Sequence, residues 1–107
     1  MAYDEDLANR VRELVGGAEE RRMFGGLAFL VGGHLAVAAS GRGGLMVRCD
    51  PADTDRLLEQ PGATRMVMRG REMDGWLRVT AEAVADDAAL EVWIRIGTTY
   101  AGGLPPK

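Results

Sequence analysis

One cysteine and one histidine stand in 107 residues, and that scarcity closes several routes to function. Cys49 has no partner in the chain for a disulfide, so the fold does not depend on an oxidising compartment. Cys49 and His34 offer neither a Cys-x-x-Cys nor a His-x-x-x-His spacing, and a zinc site built on them lacks two of its usual ligands. Basic charge is not in excess either. The net charge of −3 argues against a strongly basic nucleic-acid-binding surface, although a local patch is compatible with it. No apolar run approaches the roughly 20 residues that span a bilayer. The first residues, Met1 to Asp6, are acidic where a secretory signal is basic and then apolar. These absences point to a cytoplasmic, non-membrane protein with no cofactor and no bound metal.

What is present describes one domain over residues 1–107. Apolar residues make up 47% and charged residues 27%, an ordinary balance for a chain that folds around a modest core. Asp4 or Asp6 caps a first helix, in which Leu7, Val11 and Leu14 recur at helical spacing, and Gly16-Gly17 ends it. Leu27 to Val31 reads as a strand with apolar residues on both faces. Gly32-Gly33 is a two-residue hairpin turn, and both glycines tolerate the positive φ of a type I′ turn. Leu35, Val37 and Ala39 then form one face of the returning strand. After the Gly41-Arg42-Gly43-Gly44 turn, Leu45, Val47 and Cys49 form one face of a third strand. Asp50-Pro51 opens a short helix, Thr64 to Met68 is a fourth strand, Gly70 to Gly75 a polar turn, and Trp76 to Thr80 a fifth strand. A last helix starts near Asp86-Asp87 and carries Leu90, Trp93, Ile94, Gly97 and Tyr100 on a broad apolar stripe. The expected order is α-β-β-β-α-β-β-α. It is an α+β domain with a five-stranded antiparallel sheet and helices packed on it.

The search for reactive groups returns little. A nucleophilic triad needs a Ser or Cys with a base and an orienting acid. Across a hairpin centred near Arg42, His34 falls opposite Asp50. Alternation then turns Cys49 away from it, which leaves a buried thiol and a histidine at a hairpin edge. Asp53, Asp55, Asp86 and Asp87 lie near helix starts, where capping accounts for them better than calcium or magnesium does. The glycine-rich Gly41–Gly44 turn lacks both the Lys-Ser/Thr of a phosphate loop and a helix behind it. Gly25-Gly26 permits a close backbone approach or a sharp bend. Arg48, Arg65, Arg69, Arg71 and Arg78 gather around Trp76, a pattern met on nucleic-acid surfaces, but Glu72 and Asp74 interrupt it in sequence. Met66, Met68 and Met73 fill a core or supply an adaptable interface.

Four marks at fixed places give the chain a resemblance: Met23-Phe24-Gly25-Gly26, then Leu45-Met46-Val47-Arg48, then Gly70-Arg71-Glu72-Met73-Asp74-Gly75-Trp76, then Leu104-Pro105-Pro106-Lys107. Together they make it resemble the N-terminal domain of the TfoX/Sxy family, small bacterial proteins linked to competence regulation. The resemblance implies a secretion-chaperone-like α/β architecture. It also implies a stand-alone domain without the C-terminal helical domain of full-length members, and it carries over no catalytic residues. The expected function is a non-enzymatic regulatory or protein-interaction domain. The alternatives are a nucleic-acid-associated or modifying accessory protein, or a small-molecule sensor using the Met23–Gly26 region. The candidate interaction residues are Met23, Phe24, Gly25, Gly26, Arg69, Arg71 and Trp76. An unidentified protein partner is expected, with weak or no DNA binding by the domain alone. A homodimer is also expected. Ala28, Leu30, Ala36, Ala38 and Met46 make the strands apolar on both faces, and an open apolar face usually marks an interface.

Overall fold

The computed structural model describes residues 4–23 and 25–106. Asp4 is the residue that caps the first helix, α1 (Glu5–Val15): its Oδ1 accepts from the Leu7 backbone N–H at 3.1 Å, and Gly16 ends the helix in the left-handed region at φ 72°. Leu7, Ala8 and Val11 form the buried side of α1. The next element, β1 (Glu19–Met23), is a strand absent from the expected order. Its Glu-Glu-Arg-Arg-Met sequence shows no apolar alternation because it is an edge strand, exposed along most of its length. It pairs antiparallel with β2 (Gly26–Val31), which the positive-φ pair Gly32-Gly33 joins to β3 (His34–Ala39).

Beyond β4 (Leu45–Arg48), Asp50 caps one 3₁₀ turn (Pro51–Asp53) that runs into a short helix, α2 (Thr54–Leu57). Then come β5 (Ala63–Met68), β6 (Arg71–Val79) and α3 (Asp87–Gly102), whose cap is Asp86. The β5–β6 connection is shorter than expected. Only Arg69 and Gly70 form the turn, both at positive φ, and residues 71–75 already belong to the strand. The sheet is antiparallel throughout, six-stranded rather than five-stranded, in the order β1-β2-β3-β4-β6-β5.

Two irregularities shape this sheet. Phe29 pairs with Val37 but Leu30 pairs with Leu35, so Ala36 is an extra residue in β3. Such a bulge bends the strand and shifts its alternation. Leu35 therefore leaves the face of Val37 and Ala39, where simple alternation placed it, and joins Leu30 on the other face. In β6, Arg65 of β5 pairs with Leu77 while Met66 pairs with Met73, so Asp74, Gly75 and Trp76 are extra. There β6 leaves β5 and follows β4, with Trp76 beside Arg48. Gly75 (φ 85°) makes this step, and its carbonyl accepts from Cys49 N at 2.8 Å. Its N–H donates to the buried Thr54 hydroxyl at 2.8 Å.

The helices cover one face. Leu7 and Val11 of α1 and Leu90, Trp93 and Ile94 of α3 meet Phe29, Val37, Val47, Leu77 and Val79 in the main core. Arg10 fastens the two helices: it chelates Asp87 through Nε (2.9 Å) and Nη2 (2.7 Å), and Nη2 also donates to the Val84 and Ala85 carbonyls. The opposite face holds a second buried cluster, Ala28, Leu30, Leu35, Ala38, Met46 and Met66, to which no helix contributes. Met23, Met68, Met73 and Trp76 close over it. This corrects the expectation of an open apolar face. The large hydrophobic residues left exposed among those described are only Leu14, Val67 and Val92, so this face gives no ground for a homodimer.

Candidate functional site

The helix-free face of the sheet is where the candidate residues gather, and strand alternation explains how. The cross-strand row Arg21–Ala28–Ala38–Met46–Arg78–Thr64 follows from register. Arg48 and Trp76 form the next pair along β4 and β6. In the β5–β6 hairpin, Arg71 faces Met68 and Met73 faces Met66, on the same side. The intervening residues Glu72 and Asp74 point to the other side. There they bind Arg65: Nη1 donates to Glu72 Oε1 at 3.2 Å, and Nε lies 3.0 Å from Asp74 Oδ1, off the hydrogen-bonding line. Asp55 of α2 completes the cage at 2.7 Å, and its hydrogen bond does most to hold the Arg65 guanidinium above its ordinary pKa. The acids that interrupt the arginine cluster in sequence therefore do not neutralise it in space.

The result is a segregation of charge. Arg65 is removed from the patch, and Arg21 is paired with Glu19 at 2.8 Å. Arg42, Arg48, Arg69, Arg71 and Arg78 make no ion pair among the described residues. The Arg48 guanidinium lies between two rings, 5.0 Å from the centroid of Trp76 and 5.4 Å from that of Tyr100 of α3. This is within cation–π range and fixes the side chain without quenching its charge. Ser40, Arg42, Arg69 and Arg78 surround a pocket of about 270 Å³ on the same face, with Met46 and Met66 beneath. Ser40 Oγ accepts from the Arg42 backbone N–H at 3.2 Å and from Arg78 Nη2 at 3.3 Å.

Of the candidates read from the sequence, Met23 and Trp76 each pack against the second cluster from different strands, with Arg69 and Arg71 at the β5–β6 turn. Phe24 lies outside the described residues. Gly25 is exposed at φ 74°. Gly26 is explained by packing: a Cβ there would stand 2.2 Å from the Ala39 carbonyl oxygen, so the backbone of the neighbouring strand already fills that space. The gap at Gly25-Gly26 is thus closed on the Gly26 side. Ser40 and Arg42 are additions. No sequence signal marked them, because they reach the face only through the turn between β3 and β4.

The remaining reactive groups are dispersed. His34 Nε2 lies 2.7 Å from the Pro105 carbonyl, which can only accept, so His34 donates there and ties the C-terminal segment to the β2–β3 turn. Cys49 sits in the main core, and burial pushes its thiol pKa up, against a smaller opposing effect of a hydrogen bond with Thr54. Asp86 caps α3, Asp87 holds Arg10 and Asp55 holds Arg65. Among the described residues no three His, Cys, Asp or Glu side chains converge as metal ligands, and no helix is long and apolar enough to cross a membrane.

No curated protein and no solved structure matches the chain. The family described as the TfoX N-terminal domain matches residues 9–101, which runs from α1 into the last turn of α3 and includes the whole sheet. The chain belongs to the TfoX N-terminal domain family.

Proposed function

We propose that this domain is a non-enzymatic, cytoplasmic interaction module of the competence-regulator kind, and that it docks an acidic protein partner on the helix-free face of its sheet. The observation that carries the reading is the charge segregation around β6: Arg48, Arg71 and Arg78 on one side, Glu72 and Asp74 spent on Arg65 on the other. Unpaired guanidinium groups recognise carboxylates through bidentate hydrogen bonds. The methionines among them supply a surface that adapts to a partner's shape. A non-enzymatic role is supported by the dispersal of the reactive groups: His34 is engaged with a carbonyl, and Cys49 is buried with a raised pKa. The free, buried thiol also suits a reducing compartment.

The test is affinity capture with the whole chain as bait after nuclease treatment, alongside an Arg48→Glu/Arg78→Glu double variant. An acidic protein retained by the wild type and lost by the folded variant supports the reading. A partner retained equally by both removes this face from the interaction. The same arginines favour a second reading, in which the ligand is nucleic acid. Capture that disappears on nuclease treatment would select it.

A homodimer remains part of the proposal on a different surface. Val92 is 58% exposed and lies on a groove of about 580 Å³ with Ile96, Tyr100 and Leu104. Light scattering at twice the chain mass that a Val92→Glu substitution halves supports this pairing, and a wild type at the chain mass removes it.

A further inference from the structure

We propose that the pocket bounded by Ser40, Arg42, Arg69 and Arg78 is a binding site for the phosphate group of a small phosphorylated metabolite. Three observations converge on it. The first is charge: three arginines line one pocket of about 270 Å³, and none has a carboxylate partner among the described residues. Like charges gathered at one pocket repel one another. A dianion between them relieves that repulsion.

The second observation is conformational. Arg69 is the non-glycine residue held at positive φ, 52°, among those described. Turns of this kind ordinarily place Asn, Asp or Gly there. An arginine in that backbone region carries strain of the order that functional positions retain. The turn, rather than the paired strand, supplies Arg69 to the pocket lining.

The third is the hydroxyl of Ser40. The residue is buried, and both of its side-chain hydrogen bonds are accepted by Oγ, one from Arg42 N and one from Arg78 Nη2. Its own proton is left to donate. A phosphate offers oxygens to that proton and to the guanidinium forks together. Met46 and Met66 below give an apolar wall for a short carbon skeleton. The volume lies below the range usual for drug-sized ligands, about 300–1,000 Å³. It suits a phosphate with a few carbons rather than a whole nucleotide.

The inference shares Arg78 with the protein-docking reading, but its test uses the isolated chain and Arg69 variants, so the two fail separately. Inorganic phosphate and glycerol 3-phosphate are titrated into the ¹⁵N-labelled protein, with a single-stranded oligonucleotide as a separate arm. Saturable shifts at the amides of residues 40–44 and 68–70, with glycerol 3-phosphate the tighter, are expected. Arg69→Gly relieves the backbone rather than disrupting it, so it should fold at least as well as the wild type and bind about tenfold more weakly, the loss of one charge-assisted bond. Arg69→Asn, which also tolerates this backbone region, repeats the test if the glycine variant is less stable. Arg95→Ala, on α3 and paired with Glu91, should bind like the wild type. Absence of saturable shifts with both small phosphates, unweakened binding by the Arg69 variants, or binding of the oligonucleotide alone would each overturn the proposal.

Discussion

Gly97 of α3 sits directly over the carbonyl of Ala36, the extra residue of the β3 bulge. A Cβ on Gly97 would stand 2.4 Å from that oxygen and 2.8 Å from Val37 Cγ1. The helix therefore approaches the sheet at the β3 bulge, and the glycine is what allows it. Gly97→Ala should destabilise the fold by about 1–3 kcal/mol, because a fixed backbone atom cannot move aside as a side chain can. The substitution also gains helix propensity, close to 1 kcal/mol, which sets the lower end of the net effect. Denaturant midpoints of the two proteins measure this. An unchanged midpoint would mean that α3 lifts off the bulge at no cost.

The bulge also marks how far the sequence could be read. The ends of α1 and α3 were legible because Asp4, Asp86, Gly16 and Gly103 stand where caps stand. The Gly32-Gly33 turn was legible because only glycine suits two successive positive φ values so well. The strand β1 was not, because an exposed edge strand needs no apolar alternation. Arg69 hid the β5–β6 turn, since arginine at positive φ contradicts turn preference. The site was half legible. Trp76, Arg69 and Arg71 are visible in sequence, but which side of β6 Glu72 and Asp74 occupy is settled by strand pairing with β5 and by Arg65. Ser40 and Arg42 come from a turn whose neighbours across the sheet no local pattern reveals.

Trp93 anchors α3 in the main core and is only 5% exposed. Trp93→Ala should cost about 3–5 kcal/mol, the range for emptying a buried indole site. For a 107-residue domain this is a large share of total stability. A loss of that size in the unfolding free energy from guanidinium denaturation is expected, and a loss well under 1 kcal/mol would show that the core closes over the space.

The Cys49 thiol gives stability an alkaline limit. Burial raises its folded pKa above the ordinary 9.0. The unfolded chain therefore releases this proton first as pH rises. The contribution is fully present below the unfolded value and is lost as pH climbs from there through the folded value. Between about pH 8 and pH 10, wild-type stability should fall more steeply than that of Cys49→Ala, although the variant starts lower. Parallel curves would place the thiol in contact with water, and rapid reaction of the native protein with a thiol reagent at neutral pH would show the same.

DNA affinity is expected to be low despite the arginines. Binding to duplex DNA draws most of its strength from counterion release, with a logarithmic salt slope close to the number of phosphates neutralised. The unpaired arginines of the helix-free face are each engaged or placed differently. Arg48 is held between Trp76 and Tyr100, Arg78 hydrogen-bonds to Ser40, and Arg69 and Arg71 stand at the β5–β6 turn. The chain carries 16 acidic against 13 basic residues, so the long-range field does not draw a polyanion in. A gel shift at low salt should show weak, sequence-indifferent retardation that vanishes at physiological ionic strength. Arg48→Glu should reduce it further. A complex that survives physiological salt and prefers one sequence would turn the arginine face into a nucleic-acid interface and displace the protein-docking reading.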